Sequence, residues 1–279
     1  MDKNTKETTQ KDRKYVNILG INIASTDINE VLTGVEQKIS RSIESDSGAR
    51  KFSILTPNPE LIVMSQNNVE LKNALNSATY SIPDGVGLSY ASKFLYGKEL
   101  NIIPGRKLFD ELIKLAVKRH WKVFLLGGMD NEAQLATEKL KTGNSLETGD
   151  WRLEIGFHPG PCLDENAEPE TEVDKRLQQD AVDKINKFAP DLLFVAFGNP
   201  KQEIWVMKNA KKLNAKCVMA VGGTFRYVAS LSKLPPKWME KAGLEWVYRL
   251  VTEPYRFGRI FNAFPIFPLK VFLSKYSGN

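Results

Sequence analysis

The sequence is poor in the residues that bind metals or form disulfides. Its 279 residues include only two cysteines, Cys162 and Cys217, and two histidines, His120 and His158. Neither cysteine stands in a motif with metal-ligand spacing. These counts argue against a Cys/His metal centre and against a disulfide framework, and they favour a reducing compartment.

Long apolar runs are also missing. No stretch reaches the roughly 18 apolar residues needed to span a bilayer. Residues 1–14, MDKNTKETTQKDRK, are polar and lack the apolar core of a signal peptide, so we expect a disordered cytoplasmic lead-in. These absences predict a protein that is neither secreted nor membrane-spanning.

The basic residues are distributed unevenly. The net charge is +6, and the chain from Lys233 to its end carries eight Lys or Arg against three Asp or Glu, together with many aromatic residues. This composition suits a segment that touches an anionic membrane or covers a phosphate-bearing ligand. It equally suits a packed helical appendage with a solvated basic face. Composition alone leaves both interpretations open.

The segment DLLFVAFGNPKQEIW, residues 191–205, has the strongest local pattern. Leu192–Phe197 is a continuous apolar run, which predicts a strand buried on both faces. Asn199 is placed to cap a helix that has Pro200 at its first position, and Gln202 has the capping-box spacing. A buried strand that leads into a capped helix is the half-unit of a doubly wound α/β sheet.

The same alternation extends through much of the chain. Further strands are predicted at Lys51–Thr56, Val123–Gly128 and Cys217–Gly223, after an N-terminal hairpin at Tyr15–Ala24. A short strand is expected at Arg152–Ile155, then a polar loop at Gly156–Glu172. Predicted helices include a helix up to Ser40, one beginning at Asn58, Leu71–Tyr80, Leu88–Leu95, Arg106–Arg119, Asn131–Lys141 and Val173–Phe188. A tight turn is predicted at Ser81–Gly87.

The predicted fold is therefore α/β: a Rossmann-like, mostly parallel sheet with helices on both faces. This core covers residues 15–232, and residues 233–279 form a helical, basic and aromatic appendage. The appendage helices are expected at Pro235–Ala242, Leu244–Glu253 and Tyr255–Phe264. A nicotinamide-dependent oxidoreductase is disfavoured because no G-x-G-x-x-G follows the first strand. A nucleic-acid binder is disfavoured because the basic excess carries no recognition motif.

Polar residues recur where a strand or turn gives way to a helix. Taken singly, each is explained as a helix cap or a turn residue. In a parallel sheet, however, all of them could lie at the same edge and form a cleft with one carboxylate and several amide donors. Such a cleft suits a nucleotide diphosphate. The residues are Thr56 and Asn58, Asp84, Asn199 and Gln202, and Gly222, Gly223 and Thr224.

Six segments together resemble the WecG/TagA/CpsF glycosyltransferases, collinearly over Tyr15–Arg259. The resemblance implies inverting transfer of an N-acetylmannosamine-type or related sugar from UDP to an undecaprenyl-diphosphate-linked sugar. It places this reaction on the cytoplasmic face of the bacterial membrane, in teichoic acid, capsule or related polysaccharide synthesis. The segments are TPNPELI (56–62), IPDGVGLSYASKFLYG (82–97), VFLLGG (123–128), PDLLFVAFGNPKQEIW (190–205), VGGTF (221–225) and PPKWMEKAGLEWVYRLVTEPYRFGR (235–259).

The resemblance also implies roles for individual residues. Asp84 would be the general base, and no divalent metal or other cofactor is expected. The basic appendage would fold over the active site and dock on an anionic membrane surface. The hairpin near Tyr15 and the appendage are possible contacts of a homo-oligomer. The residues expected to hold the substrates are Thr56, Asn58, Gly128, Asn199, Gln202, Gly222, Gly223, Arg106, Arg249, Arg256 and Arg259.

Three motifs depart from the family's usual pattern. Ile102 stands where the family usually carries an arginine, which Arg106 could replace from the next turn. Lys107 occupies a place where a small polar or acidic residue is common. In GGTFRYVASLSKLPP, Arg226 replaces the usual aspartate and Leu234 the usual arginine. These departures bear on the donor sugar, and they keep open a second hypothesis, a non-catalytic UDP-sugar-binding subunit of a polysaccharide assembly complex.

Overall fold

A computed structural model describes residues 15–44, 51–143, 153–233, 235–236, 239, 245–252 and 262–277. The chain begins with an antiparallel hairpin of β1 (Tyr15–Ile18) and β2 (Ile21–Ala24), as predicted. The central feature is a six-stranded sheet in which every pairing is parallel. Helices cover both faces, which confirms the predicted α/β class.

The strand order of the central sheet is β4-β3-β8-β7-β5-β6. All residues of β5, β7 and β8 are buried, as expected for strands whose apolar runs are covered on both faces. The bounds are β3 (Phe52–Leu55), β4 (Tyr80–Ser81), β5 (Val123–Gly127), β6 (Ile155–His158), β7 (Leu192–Ala196) and β8 (Cys217–Ala220).

Side chains of these strands alternate between two apolar cores, one on each face of the sheet. The helices that contribute to the first core are α1 (Ile28–Glu44), α5 (Gly105–Arg119), α6 (Glu132–Gly143) and α9 (Thr224–Val228). The helices on the other face are α2 (Pro59–Ser65), α3 (Val69–Ser77), α4 (Val86–Tyr96), α7 (Glu172–Phe188) and α8 (Lys201–Asn209). The hairpin packs on this second face.

Two local predictions were wrong. The helix predicted up to Tyr80 ends at Ser77, and Tyr80–Ser81 pairs with β3 instead. A strand of two residues is too short to leave a periodic pattern. The strand predicted at Arg152–Ile155 and the loop predicted from Gly156 were misplaced, because β6 spans Ile155–His158. As an edge strand with an exposed Phe157, β6 lacks the continuous burial that marks its neighbours.

The C-terminal region shares the core of the α/β unit. Helix α10 (Glu245–Thr252) confirms the helix predicted at Leu244–Glu253. A π-helical turn at Asn262–Ile266 leads into α11 (Phe267–Tyr276), which contacts α2 and α4. The other two predicted helices of this region lie largely outside the described residues. No helix among the described residues is long and apolar enough to cross a membrane.

Replacement of the fully buried Phe194 of β7 tests the packing of the core. Its ring packs edge-to-face on Phe109 of α5, with the ring centroids 4.5 Å apart. We expect Phe194→Ala to lower the free energy of unfolding by about 3–5 kcal/mol, because apolar contacts are lost and a cavity remains. Chemical denaturation measures this change.

Val69→Ala is the control, since Val69 is 72% exposed at the start of α3. Its effect should stay within about 0.5 kcal/mol. Equal losses for the two variants would contradict the assignment of Phe194 to the core.

Candidate active site

The sheet topology brings the predicted site residues to one edge. Because the strands are parallel, the loops that follow β3, β4, β5, β7 and β8 all leave from the carboxyl edge. These loops carry Thr56 and Asn58, Asp84, Gly128, Asn199, and Gly222 and Gly223, respectively, with Gln202 in the first turn of α8. The predicted convergence on one edge is confirmed for these residues.

Asp84 lies in a loop that backbone hydrogen bonds tie to the end of β3. Its N–H donates to the Pro57 carbonyl at 2.9 Å, and the preceding Ile82 N–H donates to the Leu55 carbonyl at 2.8 Å. Gly85 then turns the chain into α4 with a φ of 95°, a conformation that favours glycine. The half-buried Asp84 side chain is therefore fixed at the rim of the sheet.

Helix α5 begins beside this carboxylate. The Gly105 N–H donates to Asp84 Oδ2 at 3.3 Å. A Cβ atom built on Gly105 would lie 3.0 Å from Thr56 Oγ1 and 3.6 Å from Asp84 Oδ2, so the three groups meet at one point. The N-terminal end of a helix is a partially positive environment that suits a negative charge. Asp84 and Thr56 thus form one wall of the candidate site.

Asn58 caps α2, as the sequence predicts. Its Oδ1 accepts the Leu61 N–H at 2.9 Å, and Pro59 occupies the first helical position. The side-chain oxygen is therefore committed to the helix. The amide nitrogen makes no hydrogen bond to any residue that the structure describes, and it is the group through which Asn58 could contact a ligand.

Gln202 links the loops that follow β7 and β8. Its Nε2 donates to Asn199 Oδ1 at 2.9 Å and to Glu203 Oε1 at 2.7 Å, and its Oε1 accepts the Gly222 N–H at 3.0 Å. The side chain is 3% exposed. These bonds give Gln202 a positioning role, because it fixes both Asn199 and Gly222 at the edge.

The predicted capping role of Asn199 was wrong. Helix α8 begins at Lys201, Pro200 is the N-cap without a side-chain bond, and the Asn199–Pro200 peptide bond is cis. Asn199 Oδ1 is occupied by the Gln202 amide and does not accept a bond from the backbone. The capping-box spacing of these two residues thus reflects a bond between their side chains.

A second wall lies at the end of β5. Gly128 has a φ of 88°, and its N–H donates to the Ala196 carbonyl of β7 at 2.8 Å. Glu132, at the start of α6, accepts the Met129 N–H through Oε2 at 3.2 Å. Glu132 was not among the predicted residues, although an acid in the first helical turn after a strand that ends in Gly-Gly was the available signal.

Arg226 pairs with this glutamate. The Arg226 Nε atom lies 3.4 Å from Glu132 Oε1, and the Glu132 side chain is 9% exposed. The positive charge that replaces the family's aspartate is therefore balanced by an acid from the neighbouring loop. The pair joins α9 to α6 at the carboxyl edge.

The other two departures differ in their surroundings. Ile102 packs against the apolar core that includes α4. An apolar, packed side chain thus stands where the family usually carries an arginine. Lys107 is exposed on α5. Arg106 lies next to Gly105 and forms an ion pair with Asp110, with Nη1 3.8 Å from Oδ2. Burial raises the pKa of Asp110, and the Arg106 charge opposes this rise.

Neither histidine competes with Asp84 for the role of base. The buried His158 accepts the Gly160 N–H through Nδ1 at 2.9 Å, so its proton is on Nε2, which donates to Asp180 at 3.0 Å. Burial lowers the pKa of His158. His120 ends α5, away from the carboxyl edge. Asp84 is therefore the better candidate.

The remaining predicted residues lie beyond the structural description. The Arg249 side chain, Arg256, Arg259 and Leu234 fall outside the described residues, although α10 includes position 249. Among the described residues, no group of three or more His, Cys, Asp or Glu side chains could hold a metal ion. The independence from metals stays a prediction.

The fold and this edge define an α/β protein whose polar and glycine loops converge at the carboxyl ends of its strands. Residues 16–279 match the sequence model of the glycosyl transferase WecG/TagA/CpsF family. The chain therefore belongs to this family and is a glycosyltransferase.

Two similar proteins come from Staphylococcus aureus, strains MRSA252 and NCTC 8325. Both are named N-acetylglucosaminyldiphosphoundecaprenol N-acetyl-beta-D-mannosaminyltransferase. Each is 29% identical to this chain over 260 residues, which cover 93% of this chain and 93% of the relative. The similarity thus extends over nearly the whole of this chain and of each relative.

The positioning role of Gln202 gives a direct test. Gln202→Leu should lower the free energy of unfolding by about 1–3 kcal/mol, because the buried Gln202 amide loses its hydrogen bonds and the half-buried Gly222 N–H loses its acceptor. The Gly222 amide should also exchange its hydrogen faster. Chemical denaturation and hydrogen exchange measure the two effects.

Gln134→Leu is the matched control, because Gln134 makes one exposed bond to Glu138 on α6. It should change the unfolding free energy by no more than about 0.5 kcal/mol. Unaltered exchange at Gly222 in the Gln202 variant would overturn the positioning role.

Proposed function

We propose that the protein transfers an N-acetylmannosamine-type sugar from UDP to the sugar of a polyprenyl-diphosphate-linked acceptor, with inversion. The names of the two Staphylococcus aureus relatives support the acceptor class and the sugar. The observation that carries the proposal is the meeting of Asp84, Thr56 and the start of α5 at the edge where the glycine loops converge. The polymer made would belong to the cell surface, such as teichoic acid or capsule.

Asp84 is the proposed general base. The acceptor hydroxyl oxygen forms a bond to the anomeric carbon of the donor, and the bond from that carbon to the diphosphate oxygen breaks. The electron pair of the broken bond goes to UDP, and the hydroxyl proton goes to the Asp84 carboxylate. A carboxylate is basic enough when it lies within hydrogen-bond reach, because the hydroxyl becomes acidic as its bond to carbon forms.

The donor is proposed to lie between Asp84 and the loops after β5 and β8. Gly128, Gly222 and Gly223 let the diphosphate approach the backbone, while Thr56 and the Asn58 amide contact the sugar. Gln202 contributes by holding the Asn199 and Gly222 loops in place.

The developing charge on UDP is proposed to be neutralised without a divalent metal. Arg106 lies beside the Asp84 wall, and the predicted contributions of Arg249, Arg256 and Arg259 come from the appendage. Fixed cationic groups at the leaving diphosphate stabilise the transition state more than the ground state.

The acceptor lipid sets the location. A polyprenyl chain stays in the bilayer, so the enzyme is proposed to work as a peripheral protein on the cytoplasmic face of the membrane. The appendage is proposed to contact that surface. A truncation at residue 232 would test this poorly, because it also removes Phe267 and Val271 from the core. Point substitutions are the cleaner approach.

Asp84→Asn tests the base. We expect kcat to fall by about 10²- to 10⁴-fold, because the amide cannot accept the acceptor's proton. The Kd for UDP should remain nearly unchanged, since UDP binding does not need the carboxylate. Acceptor-dependent UDP release and calorimetric titration with UDP measure the two quantities.

Asp183→Asn supplies the control, because it makes the same change on the exposed face of α7 and should retain full activity. Undiminished turnover by the Asp84 variant would remove the assignment. UDP binding by the wild type without transfer to any lipid acceptor would favour the alternative of a non-catalytic subunit, which the Ile102 and Arg226 departures suggest.

A further inference from the structure

The ion pair between Arg226 and Glu132 joins two of the elements that follow the carboxyl edge. Helix α6 begins at Glu132, after the loop that follows β5, and Arg226 lies in α9, after the loop that follows β8. The two helices pack on each other, and Lys139 Nζ of α6 donates to Ser230 Oγ at 2.6 Å. Tertiary contacts therefore fix where Arg226 lies relative to the edge.

The ion pair lies beside one of the glycines of the candidate site. A Cβ atom built on Gly128 would lie 3.1 Å from Glu132 Cβ and 3.4 Å from Glu132 Oε2. On the other side of the pair, Arg226 belongs to the short helix that directly follows Gly222 and Gly223. These three glycines are the ones that let the diphosphate approach the backbone in the proposed function. The pair thus borders the proposed place of the donor's diphosphate.

The Glu132 carboxylate is committed to the protein. Its side chain is 9% exposed, Oε2 accepts the Met129 N–H at 3.2 Å, and Oε1 faces Arg226 Nε. Glu132 also occupies the first turn of α6, where the helix N-terminus is partially positive and favours a negative charge. Backbone groups therefore hold Glu132 together with the arginine.

Arg226 is less fully bonded than its partner. Its buried Nε atom lies 3.4 Å from Glu132 Oε1, beyond the about 2.7–3.2 Å of an ordinary N–H···O hydrogen bond. The guanidinium makes no hydrogen bond and no other ion pair with any residue that the structure describes, and the side chain is 36% exposed. A buried donor nearly always has an acceptor, so an unfilled one points to a ligand.

A guanidinium matches a phosphate group in shape and charge. Its N–H donors form a planar fork that can contact two phosphate oxygens at once. When the bond between the anomeric carbon and the diphosphate oxygen breaks, its electron pair stays with UDP, and negative charge grows on that oxygen. A cation fixed beside the leaving group stabilises this charge in the transition state more than in the ground state.

We propose that Arg226 binds the diphosphate of the UDP-sugar donor and stabilises the leaving UDP, while Glu132 is the positioning residue that orients the guanidinium. The inference rests on the proposed function, and it adds a cation from the α/β core to those expected from the appendage. Arg226 stands where the family usually carries an aspartate, so this contact is a property of the present chain. An arginine that is already oriented loses less conformational entropy when the donor binds.

Calorimetric titration of the full-length protein with UDP and with uridine tests the diphosphate contact. Arg226→Gln should raise the Kd for UDP about 10- to 100-fold, because charge-assisted hydrogen bonds to the phosphates are lost. The Kd for uridine should stay within about twofold, since uridine carries no phosphate. The kcat of acceptor-dependent UDP release should fall about 100-fold, because the charge of the leaving group is less stabilised.

Two further variants separate the charge from its geometry. Arg226→Lys keeps the charge but loses the planar fork, so it should recover part of the UDP affinity. Glu132→Gln keeps the arginine without its orienting charge and should raise the Kd for UDP about two- to tenfold. Circular dichroism and chemical denaturation show whether each variant is folded. An equal loss of UDP and uridine binding in these variants would indicate a structural ion pair and overturn the inference.

Arg176→Gln is the matched control, because it makes the same change at an exposed arginine of α7. Its UDP affinity and kcat should stay within about twofold of the wild type, since solvent screens an exposed distant charge. Unaltered UDP affinity and kcat in Arg226→Gln would refute the role of Arg226 and leave the proposed function intact. UDP binding that depends on Arg226, in a wild type that transfers no sugar, would refute the proposed function and leave the diphosphate contact standing.

Discussion

The parallel hydrogen-bonded ladder of β7 with β5 and β8 is the constraint on which the candidate site depends. Leu192 pairs with both Val123 and Cys217, so the three central strands are in register. Their carboxyl ends therefore lie side by side. This register alone brings the glycine loops and the Asn199 turn together. Gln202 then links two of these loops through its hydrogen bonds with Asn199 and Gly222. The sheet thus positions the candidate site residues, and the buried Gln202 amide holds two of their loops together.

The parts of the fold that follow from apolar periodicity could be predicted from the sequence. The buried runs of β5, β7 and β8, the Asn58 cap and the alternation of strands and helices belong to this group. The two-residue β4 was not predicted and the bounds of the edge strand β6 were misplaced, because neither strand has the continuous buried apolar run of its neighbours. The family resemblance implies the proposed role of Asp84, and the structure adds its contact with Gly105.

Side-chain partners across loops also escaped prediction. Asn199 was expected to cap α8, yet its oxygen accepts from Gln202. The sequence also did not indicate the partner of Arg226, which the structure shows to be Glu132. In both cases the deciding contact is tertiary, and neither spacing nor propensity reports it. The candidate base and the ion pair both lie at the carboxyl edge of the sheet.

The most direct measurement is UDP release by the full-length protein. It would use a panel of UDP-sugars and a short-chain polyprenyl-diphosphate-linked N-acetylglucosamine acceptor, with EDTA present. A metal-independent transferase should release UDP only when the acceptor is added, with an N-acetylmannosamine-type donor, and EDTA should not reduce the rate. No release from any donor, with UDP still bound by the protein, would contradict the proposed transfer.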